Sequence, residues 1–240
     1  MVFIATFISG NIALLPRCPT VKILMPDFTL ENGLAARGFL RVAGVDEAGR
    51  GPLAGPVAAA AVILPYAFSS PLLDDSKKLT KRRRENLYIE ITTNPDVVWS
   101  VALVGPEEID EINILRATHK AMALAVGGLS EIPNVALVDG LPVKGLPVPH
   151  ESVVKGDGLS LSIAAASVIA KVTRDRFMAK IDSEFPAYGF AKHQGYGTRQ
   201  HLEALRKHGP CSHHRRSFQP VSQLALQAGD GHQRHAEVDG

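Results

Sequence analysis

Two carboxylates and an arginine lie close together in the stretch GVDEAGRGPLAGP, residues 44–56. Asp46 and Glu47 are adjacent, and Gly49, Arg50 and Gly51 follow directly after Ala48. Paired acids are typical of sites that bind cations. An arginine between glycines can approach an anion such as a phosphate, because no Cβ stands beside it. The stretch therefore predicts a site where a cation and an anion bind side by side.

Two further acids, Asp139 and Asp157, follow apolar segments later in the chain. In open α/β sheets, ligands bind beyond the carboxyl ends of the strands. Carboxylates that converge there repel one another at neutral pH, and a cation offsets this repulsion. Hard oxygen ligands favour Mg²⁺ or Mn²⁺. The candidate metal ligands are Asp46, Glu47, Asp139 and Asp157.

Structural roles for the same acids stay open at this point. Asp139-Gly140 is also an ordinary turn dipeptide. Asp157 precedes a predicted helix, where a negative charge is favourable without any ligand. Because successive strand residues point to opposite faces, Asp46 and Glu47 share a site only where their strand ends or kinks.

The apolar patterns that must position these acids predict a mixed five-stranded sheet flanked by helices, with a C-terminal helical segment. Short links between the first three strands favour an antiparallel meander, and helices between the later strands favour parallel pairing. Polar side chains mark the helix starts as N-caps. The predicted strands span 39–46, 56–64, 97–104, 134–138 and 152–155, and the helices span 81–92, 114–127, 160–183 and 198–207, with caps Thr80, Asn113, Ser160 and Thr198.

Composition excludes few functions. The net charge of +2 is small, but basic residues cluster at 77–84 and at 213–216, where they are typical either of phosphate contacts or of a solvated surface. The two cysteines, Cys18 and Cys211, have no ligand spacing, which argues against a zinc site or a disulfide framework and favours a reducing cytoplasm.

The domain organisation predicted from the chain has three parts. Residues 1–37 form an N-terminal extension that is disordered or precedes the true start, for which Met25 is a candidate. Its apolar run is interrupted, is too short for a membrane span and lacks a charged leader, so we expect no membrane association. Residues 38–226 form the catalytic domain, and 227–240 form a polar, disordered tail.

Seven motifs, in order and spacing, resemble the ribonuclease HII family over about residues 39–221. The first, VAGVDEAGRGPLAGPV at 42–57, is highly specific. The others are DSKKL at 75–79, LVDG at 137–140, VVKGD at 153–157, SIAAASVIAKVTRD at 162–175, HQGYGT at 193–198 and HHRRSF at 213–218.

This resemblance implies a ribonuclease H-like fold and an α/β domain that cuts RNA in RNA–DNA hybrids and nicks 5′ of single ribonucleotides in duplex DNA. The metal-binding acids of the family fall on Asp46, Glu47, Asp139 and Asp157. Two Mg²⁺ or Mn²⁺ ions are implied, with 5′-phosphate and 3′-hydroxyl products. The implied partners are hybrid and ribonucleotide-containing duplex, and we expect a monomer.

The resemblance also implies the residues that contact the substrate. Gly49, Arg50 and Gly51 match the family's Gly-Arg-Gly contact, whose main-chain groups can recognise a 2′-hydroxyl. Tyr196 matches the tyrosine that senses the RNA–DNA junction, although a buried core tyrosine is the alternative. Lys77 is a phosphate contact, with Lys78 and Arg174 as weaker candidates, and Asp175 is expected to be structural.

Three other functions fit the sequence less well. A metal-dependent DNA nuclease on the same scaffold is disfavoured by the Gly-Arg-Gly triplet. A non-catalytic hybrid-binding module is disfavoured by the intact acids, since acids beside phosphates do not help a pure binder. A nucleotide-binding loop is disfavoured because GRGPLAGP does not match the P-loop pattern.

Overall fold

A mixed five-stranded sheet forms the centre of the molecule, in a computed structural model that describes residues 25–70, 73 and 79–224. The strands are β1 (Val42–Ala48), β2 (Val57–Ile63), β3 (Val98–Val104), β4 (Val135–Asp139) and β5 (His150–Val153), in the order β3-β2-β1-β4-β5. The first three strands pair antiparallel, and β4 and β5 add to β1 in parallel. The predicted topology is therefore confirmed.

The helices surround this sheet. They are α1 (Thr29–Ala36), α2 (Lys81–Thr93), α3 (Pro106–Gly127), α4 (Leu161–Glu184), α5 (Phe190–His193) and α6 (Arg199–His208), with a 3-10 turn at Gly156–Gly158. The hydroxyls of Thr80, Ser160 and Thr198 accept main-chain hydrogen bonds as predicted N-caps do.

Helix α3 begins earlier than its predicted start at residue 114. Asn113 lies inside it with a φ of 68°, which breaks the helical path. The Asn113 side chain accepts hydrogen bonds from the amides of Leu115 and Arg116 at 3.0 and 3.1 Å. The residue thus caps the second half of α3 as predicted, and the sequence pattern missed the first half.

Two layers of helices cover the sheet. Helix α3 packs on one face, against the side chains of β1, β2 and β4 that point towards it. Helices α2 and α4 pack on the other face. Every residue of β2 is buried, because helices cover both of its faces.

Helix α4 lies directly against the backbone of β1. A Cβ built on Gly44 would lie 2.0 Å from the carbonyl carbon of Ser162 and 2.3 Å from the amide nitrogen of Ile163. Only glycine permits this approach, and the approach places Ser167, one helical turn further along α4, beside the end of β1.

Helix α1 belongs to the segment predicted as an N-terminal extension, but it packs on the domain. Its Glu31 is only 3% exposed and accepts hydrogen bonds from the Ser160 hydroxyl at 2.6 Å and from the Ser162 amide at 3.0 Å. A buried carboxylate at this position is stabilised by the N-terminus of α4. The predicted extension therefore has a folded part, made of the residues that approach the start of α4.

Residues 1–24 and the predicted tail at 227–240 lie outside the described residues. Among the helices that are described, none combines the length and the apolar character needed to cross a membrane.

The contact at Gly44 gives a first prediction. Gly44→Ala should lower the free energy of unfolding by about 1–3 kcal/mol, because α4 must move away from β1. Gly33→Ala is the matched control, since Gly33 is exposed on α1 with no heavy atom near its Cβ position. This control should gain about 0.5–1 kcal/mol from helix propensity. Denaturant unfolding measures both, and equal effects would contradict the close packing.

Candidate active site

The carboxyl ends of β1 and β4 bring two of the predicted acids together. The parallel ladder ends at the pair Val45 and Val138, so Asp46 and Asp139 follow side by side. Strand β1 stays paired with β2 as far as Ala48, two residues beyond its predicted end. The expected end of the strand at Asp46 is therefore not observed. Glu47 is a strand residue whose side chain leaves on the face opposite to Asp46, although its charge still acts on the Asp46 carboxyl group.

Asp46 is a buried carboxyl group surrounded by other acids. It is 3% exposed, and its Oδ1 accepts a hydrogen bond from the Glu47 amide at 2.6 Å. Burial raises the pKa of Asp46 well above its usual value, and the charges of Glu47 and Asp139 raise it further. A hydrogen bond with Ser167 of α4 opposes this shift by favouring the charged form.

The Asp157 loop is attached to Asp139. The Oδ1 of Asp139 accepts a hydrogen bond from the Gly156 amide at 2.7 Å. Asp157 follows in the 3-10 turn and is 4% exposed. This bond connects the fourth predicted acid to the end of β4.

The four predicted acids provide ligand atoms that suit a metal ion, but they are not arranged as a complete coordination site. Within residues 25–70, 73 and 79–224, no group of three or more His, Cys, Asp or Glu side chains has a metal-binding arrangement. The donors are nevertheless hard carboxylate oxygens, and the pKa of Asp46 is raised by burial and, to a lesser extent, by the charges of Glu47 and Asp139, both of which a divalent cation would offset. Metal coordination by Asp46, Glu47, Asp139 and Asp157 stays a prediction.

A buried arginine, Arg215, fixes the loop that follows the acids. Its guanidinium donates to the carbonyl oxygens of Gly49 at 2.6 Å, Arg50 at 2.9 Å and Gly55 at 2.9 Å. Burial lowers the pKa of Arg215 to about 9, which leaves it charged at neutral pH. The loop is therefore folded around a positive charge that has main-chain dipoles as its partners.

A second buried arginine, Arg174 of α4, completes this arrangement. It donates to the carbonyls of Pro56 at 2.9 Å, Ala54 at 3.0 Å and Gln194 at 3.0 Å. Burial lowers the pKa of Arg174 to about 10. Its bond to Gln194 joins the loop at 49–56 to the loop that carries Tyr196.

These bonds determine where the amides of the Gly-Arg-Gly triplet point. In a trans peptide the N–H is antiparallel to the C=O. Because the carbonyls of Gly49 and Arg50 point inward to Arg215, the amides of Arg50 and Gly51 point outward. Both of these residues are exposed, so the two amides are directed towards the surface beside the acids.

The two glycines of the triplet are required for different reasons. Gly49 has a φ of +95°, and a Cβ there would lie 2.0 Å from Nε of Arg174. At Gly51 the nearest atom to a Cβ is Cε1 of Tyr196, at an ordinary 3.6 Å. The fold therefore needs glycine at 49, whereas it would accept a larger residue at 51.

Clefts open on both sides of Glu47. One, of about 320 Å³, is lined by Glu47, Gly49, Ser167, Lys171 and Tyr196, among others. The other, of about 180 Å³, includes Glu47, Arg50, Asp139 and His119.

Arg50 forms an ion pair with Glu47 at 3.3 Å while its side chain stays half exposed. The positive charge of Arg50 and the negative charge of Glu47, both in the stretch 44–56, thus lie next to each other in the site.

Tyr196 lies at the edge of the first cleft. Its ring is 47% exposed, which excludes the alternative of a buried core tyrosine. The ring lies next to Gly51. Tyr196 and the triplet, which are distant in the sequence, therefore border one surface.

Several basic residues differ from their predicted roles. Arg174, a weaker candidate for phosphate contact, is fully buried and bonded to carbonyls. Arg215 and His214, from the cluster predicted to bind phosphate or face solvent, are also buried.

Two further predictions from the sequence concern Lys77 and Lys78, which lie outside the described residues. Asp175 forms an ion pair with Lys171 at 2.7 Å, which agrees with its expected structural role.

Comparisons with known proteins agree with this architecture. The model of the family described as Ribonuclease HII matches residues 43–221. A Ribonuclease HII from Xanthobacter autotrophicus is 56% identical over 200 residues, which cover 83% of this chain and 80% of the relative. A Ribonuclease HII from Bacillus anthracis is 50% identical over 194 residues, which cover 81% and 75%.

The chain belongs to the ribonuclease HII family. Members are hydrolases, so the chain is an enzyme, and a non-catalytic module is not supported. Among solved structures, the ribonuclease H2 of Pyrococcus horikoshii matches with a TM-score of 0.67 and 28% identity, covering 78% of this chain and 98% of that one. This match confirms the predicted ribonuclease H-like sheet.

The buried acid Asp46 gives a pH-dependent prediction. Because the folded state raises the pKa of Asp46, ionising Asp46 lowers stability as pH rises from its unfolded value, near 3.8, through the folded value. In metal-free buffer at neutral pH, Asp46→Asn should therefore be more stable than the wild type, by on the order of 1 kcal/mol or more.

Thermal unfolding in EDTA at several pH values measures this gain. The gain should shrink to near zero below about pH 4, where Asp46 is protonated in both states. A wild type that is more stable than Asp46→Asn at neutral pH would contradict the carboxylate repulsion.

Proposed function

We propose that this enzyme hydrolyses the RNA strand of RNA–DNA hybrids and nicks duplex DNA on the 5′ side of single ribonucleotides. Family membership supports hydrolysis of RNA in hybrids. The observation that supports the finer proposal is the outward direction of the Arg50 and Gly51 amides, on the loop that follows Asp46 and Glu47 and whose Arg50 side chain pairs with Glu47 at 3.3 Å. Groups that can recognise a ribose are thus contiguous with groups that can act on its phosphate.

The triplet is proposed to recognise the ribonucleotide through its main chain. A 2′-hydroxyl both donates and accepts hydrogen bonds, and it is the group that distinguishes RNA from DNA. The fixed amides of Arg50 and Gly51 can donate to it. The missing side chain at 51 leaves the sugar room to approach, which explains a glycine that the fold does not need.

Tyr196 is proposed to contact the nucleotide that follows the cleavage site. Its exposed ring beside Gly51 can pack on a deoxyribose, where a second 2′-hydroxyl would be in the way. This placement would make the enzyme sensitive to the step from RNA to DNA. In that complex, Arg50 can exchange its ion pair with Glu47 for a phosphate, since its side chain is half exposed.

Asp46, Glu47, Asp139 and Asp157 are the residues proposed to bind two divalent ions. When bound, such ions activate a water molecule and neutralise the leaving 3′-oxygen, which gives 5′-phosphate and 3′-hydroxyl ends. The chain itself keeps the Asp46 carboxyl group in place through hydrogen bonds from the Glu47 amide and Ser167, and in this position it would serve as a ligand. The Gly156 amide positions Asp139 in the same way.

We further propose a monomer that acts in a reducing cytoplasm. The scattered cysteines support the location. Light scattering during size-exclusion chromatography tests the monomer, and a mass of twice 25.7 kDa would contradict it.

The cleavage reaction can be tested by mapping the nick. Duplex DNA with one ribonucleotide should be cut 5′ of it in Mg²⁺ or Mn²⁺ and not in EDTA. Asp139→Asn should lose activity by a factor of about 10³ or more, since it removes an ion ligand, while its fold is retained.

An all-DNA duplex of the same sequence is the control and should stay intact. Cleavage of that duplex would favour the DNA-nuclease alternative. Products with 2′,3′-cyclic phosphate would contradict direct attack by water, and normal rates for Asp139→Asn would remove this residue from the ligand set.

Substitution of Gly51 tests recognition by the triplet. Gly51→Ala should leave the unfolding temperature nearly unchanged, because its Cβ meets only Tyr196 at 3.6 Å. Its kcat/KM on the single-ribonucleotide duplex should fall about tenfold or more, which corresponds to about 1.4 kcal/mol. Gly127→Ala, at an exposed position on α3 with open space around it, is the control and should keep full activity. Full activity of Gly51→Ala would contradict close approach of the sugar.

A further inference from the structure

A chain of hydrogen bonds through two buried histidines ends on the main chain of Tyr196. Nδ1 of His201 lies 2.9 Å from the Tyr196 carbonyl oxygen. Nε2 of His201 lies 3.0 Å from Nε2 of His214. Nδ1 of His214 lies 3.0 Å from the amide of Cys211 and 3.1 Å from its sulfur. His201 is fully buried and His214 is 2% exposed.

The partners at the two ends of this chain determine the protons on both rings. The Cys211 amide can only donate, so Nδ1 of His214 carries no proton, and a neutral His214 is protonated at Nε2. That Nε2–H donates to Nε2 of His201, which must therefore accept. His201 is then protonated at Nδ1, and this is the proton that the Tyr196 carbonyl, which can only accept, requires.

Both rings are consequently neutral. A second proton on either ring would place two donors against each other inside the protein. Burial lowers the pKa of both histidines, to about 3 for His214, and this agrees with the hydrogen-bond pattern. The thiol of Cys211 also stays protonated, since burial raises its pKa.

The histidine chain adds to the main-chain hydrogen bonds of the Tyr196 loop, in which the Tyr196 amide donates to the His193 carbonyl at 2.9 Å and the Tyr196 carbonyl accepts from the Thr198 amide at 2.8 Å. Gly195 and Gly197 flank the tyrosine, and glycines by themselves leave the position of its ring undefined. A third buried histidine, His193, accepts from the Gly195 amide at 3.3 Å through Nδ1 and stacks on His201 with ring centroids 4.6 Å apart. The proposed functions above use none of these histidines.

We propose that His201 is a positioning residue for Tyr196, and that His214 and Cys211 set the tautomer of His201 that makes this possible. The inference rests on the proposed contact of Tyr196 with the nucleotide after the cleavage site. It adds a group that touches neither substrate nor metal and that acts through the Tyr196 carbonyl. Displacement of that carbonyl would move the ring away from Gly51.

Two substitutions of His201 distinguish its hydrogen bond with Tyr196 from its hydrogen bond with His214. Asparagine places its amide nitrogen near the position of Nδ1, so His201→Asn keeps the donor to Tyr196 and loses the contact with His214. Glutamine reaches the position of Nε2, so His201→Gln keeps an acceptor for His214 and loses the donor to Tyr196. His201→Asn leaves the Nε2–H of His214 without its acceptor. His201→Gln leaves the Tyr196 carbonyl with the Thr198 amide, at 2.8 Å, as its remaining donor, so the unfolding temperature of each variant is measured beside its rate.

The measurement is the single-turnover nicking rate on duplex DNA with one ribonucleotide, together with the Kd for that duplex, below the unfolding temperature of every variant. His201→Gln should lower the rate roughly 10- to 100-fold with little change in Kd, as expected for a misplaced contact. His201→Asn should retain a rate near that of the wild type. In a Tyr196→Ala background, His201→Gln should cause no further loss.

Each other outcome overturns the inference. Equal losses in both variants would show a purely structural role, and so would losses that add to those of Tyr196→Ala. A normal rate for His201→Gln, while Tyr196→Ala is impaired, would refute the positioning role and leave the proposed function intact. If Tyr196→Ala itself nicks normally, the proposed junction contact fails, and the inference fails with it.

A second readout does not depend on activity. Long-range ¹H–¹⁵N correlation spectra of the histidine rings should show His201 protonated at Nδ1 and His214 protonated at Nε2. A proton on Nε2 of His201 would contradict the hydrogen-bond chain directly.

Discussion

Two buried guanidinium groups, Arg174 and Arg215, determine the shape of the surface beside the acids. Together they donate to six main-chain carbonyls, five of them in the segment 49–56 and one at Gln194. Carbonyl dipoles converge on each charge, and Asp175 and Asp110 add favourable charge interactions with Arg174 and Arg215. In the resulting loop the bonded carbonyls face inward and the amides of residues 50 and 51 face outward. Both the acid site and the Tyr196 loop adjoin this segment.

The acid site also brings negatively charged groups close together inside the fold. Asp46 is buried beside Glu47 and Asp139, and its pKa is raised first by this burial and then by the two neighbouring charges. Burying a carboxyl group close to other acids is destabilising, so stability alone does not explain this arrangement. The close packing of α4 on Gly44 and the hydrogen bond from Ser167 keep Asp46 in place despite this repulsion. Stability is thus lower where the chemistry requires converging charges.

Local patterns in the sequence predicted most of the sheet and the acids. Apolar runs such as 56–64, and the polar caps before the helices, depend on neighbouring residues alone, and both were confirmed. Helix α1 was missed because its sequence, TLENGLAA, has little apolar periodicity and is stabilised by the distant Ser160 and Ser162. Arg174, Arg215 and His214 were assigned to phosphate or solvent, since a basic residue in a sequence does not show that its partners are distant carbonyls or rings. The Gly-Arg-Gly and HQGYGT motifs were the sequence signals for the proposed substrate contacts, which stay predictions.

The most direct test of the central claim is the structure of the Asp139→Asn variant bound to duplex DNA with one ribonucleotide and Mn²⁺. We expect the scissile phosphate next to Asp46, the 2′-hydroxyl within hydrogen-bond distance of the main chain at 50–51, and the Tyr196 ring against the following deoxyribose. A ribonucleotide bound away from the triplet, or a 2′-hydroxyl contacted by solvent alone, would contradict it.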